Sequence, residues 1–195
     1  MSNAPRWRLA ALLAAGTLSA VPPARAQQTE PYREGFWIGV GAGWGSAAIS
    51  CSSCSSQQRF GSVATTLRMG GTLTKQLLLG GELNAWSRNH SGITETVGDM
   101  SVVLYFYPTI TGTVFLKGGI GIVIYNADAS PRLESGGGGV NVGVGMDLYL
   151  GRKFSLTPYA SFVGALNGNL RIGGEDTGVA AKPNLFLVGV AATWH

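Results

Sequence analysis

The chain has 195 residues, of which 30 are glycine, 12% are charged and 45% are hydrophobic. That is about half the charge and twice the glycine of an average globular domain. No period-three glycine repeat suggests collagen, and the apolar content is too high for disorder. The formal charge of +4 would ordinarily point to nucleic acid or an anionic surface.

The first element removes that inference. Arg6 and Arg8 form a positive n-region, Leu9–Leu18 a short apolar h-region, and Ala24-Arg25-Ala26 a small-x-small cleavage pattern. The h-region is too short to span a bilayer as a helix. Residues 1–26 therefore read as a secretory signal peptide cleaved after Ala26. Its removal takes away Arg6, Arg8 and Arg25 and no acid, leaving 11 basic against 10 acidic residues. The net charge falls to +1, and no nucleic-acid partner is expected. Residues 27–34 read as a short periplasmic segment, and 35–195 as one domain.

From residue 35 onward no run of 18 apolar residues occurs and no helical period is convincing. Period-two alternation recurs instead, in eight segments. The first, 35–48, alternates Phe36, Ile38, Val40, Ala42 and Trp44 with Gly39, Gly41, Gly43 and Gly45. The second, 59–72, sets Val63, Leu67 and Met69 against Ala64, Thr66 and Arg68. The third, 76–89, sets Leu79 and Leu83 against Glu82 and Asn84. The fourth, 94–107, sets Met100, Val102 and Leu104 against Asp99 and Ser101. The fifth, 112–126, opposes Leu116, Ile120 and Ile122 to Lys117, Gly119 and Gly121. The sixth, 138–151, carries Val140, Val142, Val144, Met146 and Leu148 against Asn141, Gly143, Gly145 and Asp147. The seventh, 154–167, and the eighth, 183–194, close the series. Pro158 cannot donate to a ladder and predicts a bulge or a late start of the seventh strand. Gly136–Gly139 has no Lys-Ser/Thr successor, so it is no phosphate loop. It reads as a flexible loop entering the sixth strand.

Strands of about 14 residues, tilted about 40°, span roughly 35 Å, enough for an apolar band and its interfaces. The eight segments place no Asp, Glu, Lys or Arg on the apolar face, whereas the opposite face holds small and polar residues. A soluble barrel would be the reverse. Tight connectors alternate with longer ones, and the pattern predicts an all-β, eight-stranded antiparallel up-and-down transmembrane β-barrel. Aromatic residues near segment ends suggest girdles: Phe36, Phe106, Tyr107, Phe154 and Trp194 at the periplasmic interface, and Trp44, Trp86, Tyr125 and Phe162 at the outer one.

Parity sends Arg68 and Lys117 inward with Glu82, Asp99 and Asp147. Two cations against three anions in a narrow interior must pair. The network reads as a permanently closed plug that specifies register. Cys51 and Cys54, in the first long loop of an oxidising compartment, read as a local disulfide. His90, Ser91 and Glu95 share a short loop, where three polar residues are commonplace and the sequence does not give the geometry a triad needs.

The leader, the eight alternating strands, the Tyr107-Pro108 turn followed by Phe115-Leu116-Lys117-Gly118-Gly119-Ile120-Gly121, and the closing Leu187–His195 strand resemble the small eight-stranded outer-membrane β-barrel family. The resemblance covers residues 35–195. It implies the outer membrane of a Gram-negative bacterium, periplasmic N- and C-termini, and contact with outer-membrane lipid and lipopolysaccharide. It also implies a monomer that acts in envelope structure or binds an extracellular ligand through its loops. A narrow gated pore is the alternative, and a lipid A-modifying enzyme a third reading. Two features depart from the family: the chain ends Trp194-His195 rather than on an aromatic residue, and no peptidoglycan-binding domain follows. No catalytic residue, cofactor or metal site is expected.

Overall fold

The computed structural model describes residues 33–51 and 58–195. The expected signal peptide lies outside these residues. Among them there is no helix, and ten strands form one closed sheet. The strands are β1 (Phe36–Cys51), β2 (Phe60–Thr74), β3 (Leu77–His90), β4 (Ile93–Phe106), β5 (Val114–Ala127), β6 (Leu133–Met146), β7 (Leu148–Tyr149), β8 (Phe154–Ala165), β9 (Asn169–Ile172) and β10 (Glu175–Trp194). Neighbours in sequence pair antiparallel from β1 to β6. β8 and β9 together make the seventh stave, and β10 the eighth. β10 then pairs with β1 without a register break from Ile38↔Trp194 to Cys51↔Ala181, which closes the ring. The ring has eight staves, so no backbone edge is left open.

Even-spaced alternation becomes inside and outside. Val40, Trp44, Val63, Leu83, Met100, Ile120, Val142, Phe186 and Val190 project outward and are exposed, whereas Gly41, Ala64, Glu82, Asn84, Asn141 and Leu187 are buried. At one end, hereafter the turn end, lie the start of β1, the end of β10 and three tight connections. The other is the loop end. It includes one two-residue hairpin between β3 and β4, where Ser91 (φ 53°) and Gly92 (φ 82°) both adopt left-handed backbone. That is the type I′ geometry whose twist matches the flanking strands.

Three local expectations need correction. Gly136–Gly139 is not a loop: it lies within β6, paired to β5 on one side and to β8 and β9 on the other. Pairing on both sides outweighs glycine's poor strand propensity, and at Gly139 a Cβ would sit 2.6 Å from Cγ2 of Val123. β10 begins at Glu175, eight residues earlier than the alternation indicates, because its outer part pairs with β9. Pro158 produces neither bulge nor late start. β8 begins at Phe154 and runs in constant register with β10 through Val190↔Pro158. The pairing with β6 stops at Gly145↔Tyr159 and resumes in the same register at Leu148↔Leu156. The missing N–H interrupts one ladder without displacing the strand.

Candidate functional site

The interior is filled in layers, and glycines make the room. A Cβ on Gly39 would lie 2.8 Å from Nε of Arg68, one on Gly45 would lie 2.6 Å from Cδ1 of Trp86, and one on Gly143 would lie 2.8 Å from Cε of Lys117. Each bare backbone thus receives a large side chain of another strand.

Near mid-barrel Glu82 is the hub. The Lys117 ammonium pairs with its Oε1, to which Asn84 Nδ2 (3.0 Å) and Asn141 Nδ2 (3.1 Å) also donate, and Tyr105 OH donates to Oε2 at 2.8 Å. The same two amides also donate to Asp99 Oδ2, at 2.9 Å from Asn84 and 3.3 Å from Asn141, and Ser101 Oγ donates to Oδ1 at 2.6 Å. Two asparagines from different walls therefore clamp two carboxylates together. Arg68 faces Glu82 directly across the β2–β3 ladder, yet no ion pair joins them. Its Nη2 instead donates to Thr193 Oγ1 at 2.6 Å. Asp147 accepts from Tyr107 OH and Thr157 Oγ1, both at 2.6 Å.

The turn end is closed by a residue to which the sequence reading assigned no role. Arg33 is only 2% exposed. Its guanidinium donates to the carbonyls of Lys75, Ile110 and Gly112 and stacks 3.6 Å from the Tyr107 ring centroid. Among the described residues the buried charged groups are then Arg33, Arg68 and Lys117 against Glu82, Asp99 and Asp147. The lumen is formally neutral, three against three, where parity alone counted two against three. Asn84, Asn141, Tyr105 and Ser101 also went unremarked as partners, although all four have inward parity.

Toward the loop end the network gives way to an apolar layer that includes Trp86, Val97, Val123, Val163 and Leu185. Arg88 and Glu95 pair above it at 2.7 Å, with Tyr125 OH donating to Glu95 at 3.1 Å. Toward the turn end Trp37, Tyr105 and Phe115 stack edge-on at 5.1 and 5.4 Å. The void beside Arg68 and Asp147 is about 10 Å³, room for about one water.

The aromatic girdle is corrected in part. Phe36, Trp44, Phe106, Phe162 and Trp194 face outward and are exposed, and Phe154 is half-buried against Trp194 at 5.0 Å. Trp86, Tyr107 and Tyr125 point inward instead. Trp86 is 1% exposed and donates Nε1 to Gly45 O at 3.1 Å. The inward parity of Glu82 and Asn84 already assigns Trp86 to the lumen, because residues two apart share a face. Cys51 is disulfide-bonded, and Cys54 lies outside the described residues. Ser91 forms the β3–β4 turn, Glu95 is engaged by Arg88 and Tyr125, and no hydrogen bond joins His90, Ser91 and Glu95.

No protein-family model and no curated sequence matches the chain. Solved structures do. Ail, the attachment invasion locus protein of Yersinia pestis, superposes with a TM-score of 0.54 at 11% identity, over 82% of this chain and 99% of that one. Neisserial surface protein A gives 0.53 at 14%, over 83% and 97%. The outer membrane protein OprG of Pseudomonas aeruginosa gives 0.51 at 14%, over 85% and 99%. At such identities the likeness is one of fold: the small eight-stranded outer-membrane β-barrel.

Proposed function

We propose that this chain, a small barrel with the fold of outer-membrane proteins, is an integral protein of a Gram-negative outer membrane. Its role is non-enzymatic, in envelope structure or surface interaction through the loop end. The turn end, with the N- and C-termini, faces the periplasm, and the leader and the Cys51–Cys54 disulfide fit that route of export. The observation that carries the reading is the division of the molecule: an exterior of exposed Val, Ile, Leu, Met and aromatic side chains around a filled, neutral lumen. Such an exterior is stable only in hydrocarbon, and a filled lumen leaves the loop end as the surface available for function. The name of Ail records attachment, and that protein has been solved with the heparin analogue sucrose octasulfate, which fits loop-end binding as a mode open to this fold. Membrane fractionation tests the location: recovery with the outer membrane and faster gel migration before boiling are expected, and a soluble periplasmic protein would overturn it.

The second reading, a narrow gated pore, is favoured by one observation. Arg68 stands opposite Glu82 without pairing to it, so exchange of Glu82 from Lys117 to Arg68 is geometrically available. Single-channel recording separates the two readings: the closed reading expects no conductance steps from the native chain or from Lys117→Ala, and the gate expects them.

A further inference from the structure

Above the apolar belt, on the outer surface of the loop end, the ladder registers align four polar residues in one row. Asn126 of β5 faces Glu134 of β6, Glu134 faces Arg171 of β9, and Arg171 faces Asp176 of β10. Directly paired residues share a face. Asn126 and Glu134 have the outward parity of Ile120, Ile122 and Ile124, so the row lies outside the barrel. It lines a cleft of about 500 Å³ together with Asn167 and Asn169, a volume within the range of small-ligand sites.

The cleft is a product of the fold. β6 pairs with β8 in one register and with β9 in another, one residue away, so the stave is kinked at residues 166–168, where Leu166 N–H still donates to Gly138 O at 2.8 Å. Gly136 lies between Ile124 and Asn169 in the ladders and leaves the base of the cleft without a side chain. The glycine run that the sequence sets apart thus lies beneath a polar row.

The chemistry is mixed and held in place. Asp176 accepts from Asn169 Nδ2 at 3.1 Å and from the Gly178 amide at 2.8 Å, and Glu134 pairs with Arg132 at 3.1 Å. The side chains of Asn126 and Asn167 form no hydrogen bond with another described residue, and Arg171 acts electrostatically on the Asp176 carboxylate that it faces. Donors therefore alternate with oriented acceptors along the row. A polyanion would meet two carboxylates, and a polycation would meet a guanidinium. A polyhydroxyl ring satisfies both kinds of group, because each hydroxyl donates and accepts.

Position selects the source. Ile124 belongs to the cleft and to the apolar exterior alike, so a ligand seated there has its lower edge at the hydrocarbon boundary. We infer that the Asn126–Glu134–Arg171–Asp176 row binds the uncharged saccharide headgroup of a glycolipid in the surrounding leaflet. This rests on the reading of the chain as a membrane barrel with its loop end at the outer surface.

The test uses the full mature chain in nanodiscs of phosphatidylcholine. Diglucosyl diacylglycerol, added as the probe, shifts the side-chain amide resonances of Asn126, Asn167 and Asn169 and the Nε–H of Arg171. Phosphatidylglycerol, sucrose octasulfate and free maltose produce no comparable shifts. Arg171→Ala and Glu134→Ala each weaken the glycolipid response at least fivefold while heat-modifiable migration is kept. Absence of shifts, equal shifts with phosphatidylglycerol, maltose binding as tight as glycolipid, or undiminished affinity in both folded variants would each overturn the inference. A chain that fails to enter the bilayer at all would overturn the membrane reading instead, so the two failures are distinct.

Discussion

Glu82 accepts from four side chains on four strands: Lys117, Asn84, Asn141 and Tyr105. Removing its charge strands the buried Lys117 ammonium, and breaking a buried pair from one side costs about 3–5 kcal/mol. Glu82→Gln should therefore lower the unfolding free energy in micelles by that order, and adding Lys117→Met should recover part of the loss. A double variant no more stable than the single one would mean that the pair is not the source. Glycine positions carry a matching prediction. Gly45→Ala drives a methyl against Trp86 and to 3.1 Å from the Ala64 Cβ, an overpacking cost of about 1–3 kcal/mol, measurable in the same assay. At this scale the sequence was legible wherever parity decides. It was misread where clustering of aromatics at strand ends displaced parity, as at Trp86 and Tyr125. It was silent on Arg33, whose partners Lys75, Ile110 and Gly112 are neighbours only once the turns are brought together.

Elements follow backbone accounting more than propensity. Eight staves were readable because an apolar face two residues in period is hard to mistake. Their ends were not, because β6 extends through glycines held by ladders to both neighbours, and β10 through polar residues held by β9. Pro158 shows the same logic, since its cost is confined to the β6 side. Pro158→Val restores an N–H there and should stabilise the barrel by about 0.5–1.5 kcal/mol, with slowed amide exchange at Met146–Leu148 as the structural readout. On the outer face of β5, Ile120 is 72% exposed. Ile120→Arg should cost roughly 2–4 kcal/mol if that position sits at the bilayer midplane, whereas near-neutrality would move it out of the hydrocarbon.

For the whole molecule, pH acts at the turn end. His195 follows the last strand, its ring beside Tyr149 at 5.5 Å and its Nε2 3.3 Å from Ser155 Oγ. Burial holds its imidazole below the ordinary value of 6.5. A lowered folded value favours the neutral ring, so its contribution to stability is complete above about pH 6.5 and is lost as pH falls through the folded value. The stability difference between the native chain and His195→Gln should shrink as pH drops from 8 to 5. A difference independent of pH would show that the ring does not titrate with unfolding. Fold class was legible at this scale because lipid demands closure and a charge-free exterior. Lumen neutrality was not, since it depends on a cation supplied from outside the strands.

That cation makes the molecule sensitive to how it is handled. An affinity tag or fusion partner joined immediately ahead of Arg33 competes with the docking of its guanidinium under the turns. The barrel would then hold one uncompensated negative charge in a low-dielectric interior and would take up a sodium ion or a proton to balance it. Preparations tagged at that end should therefore depend on salt and acidity for their stability in a way that preparations tagged within an exposed loop do not.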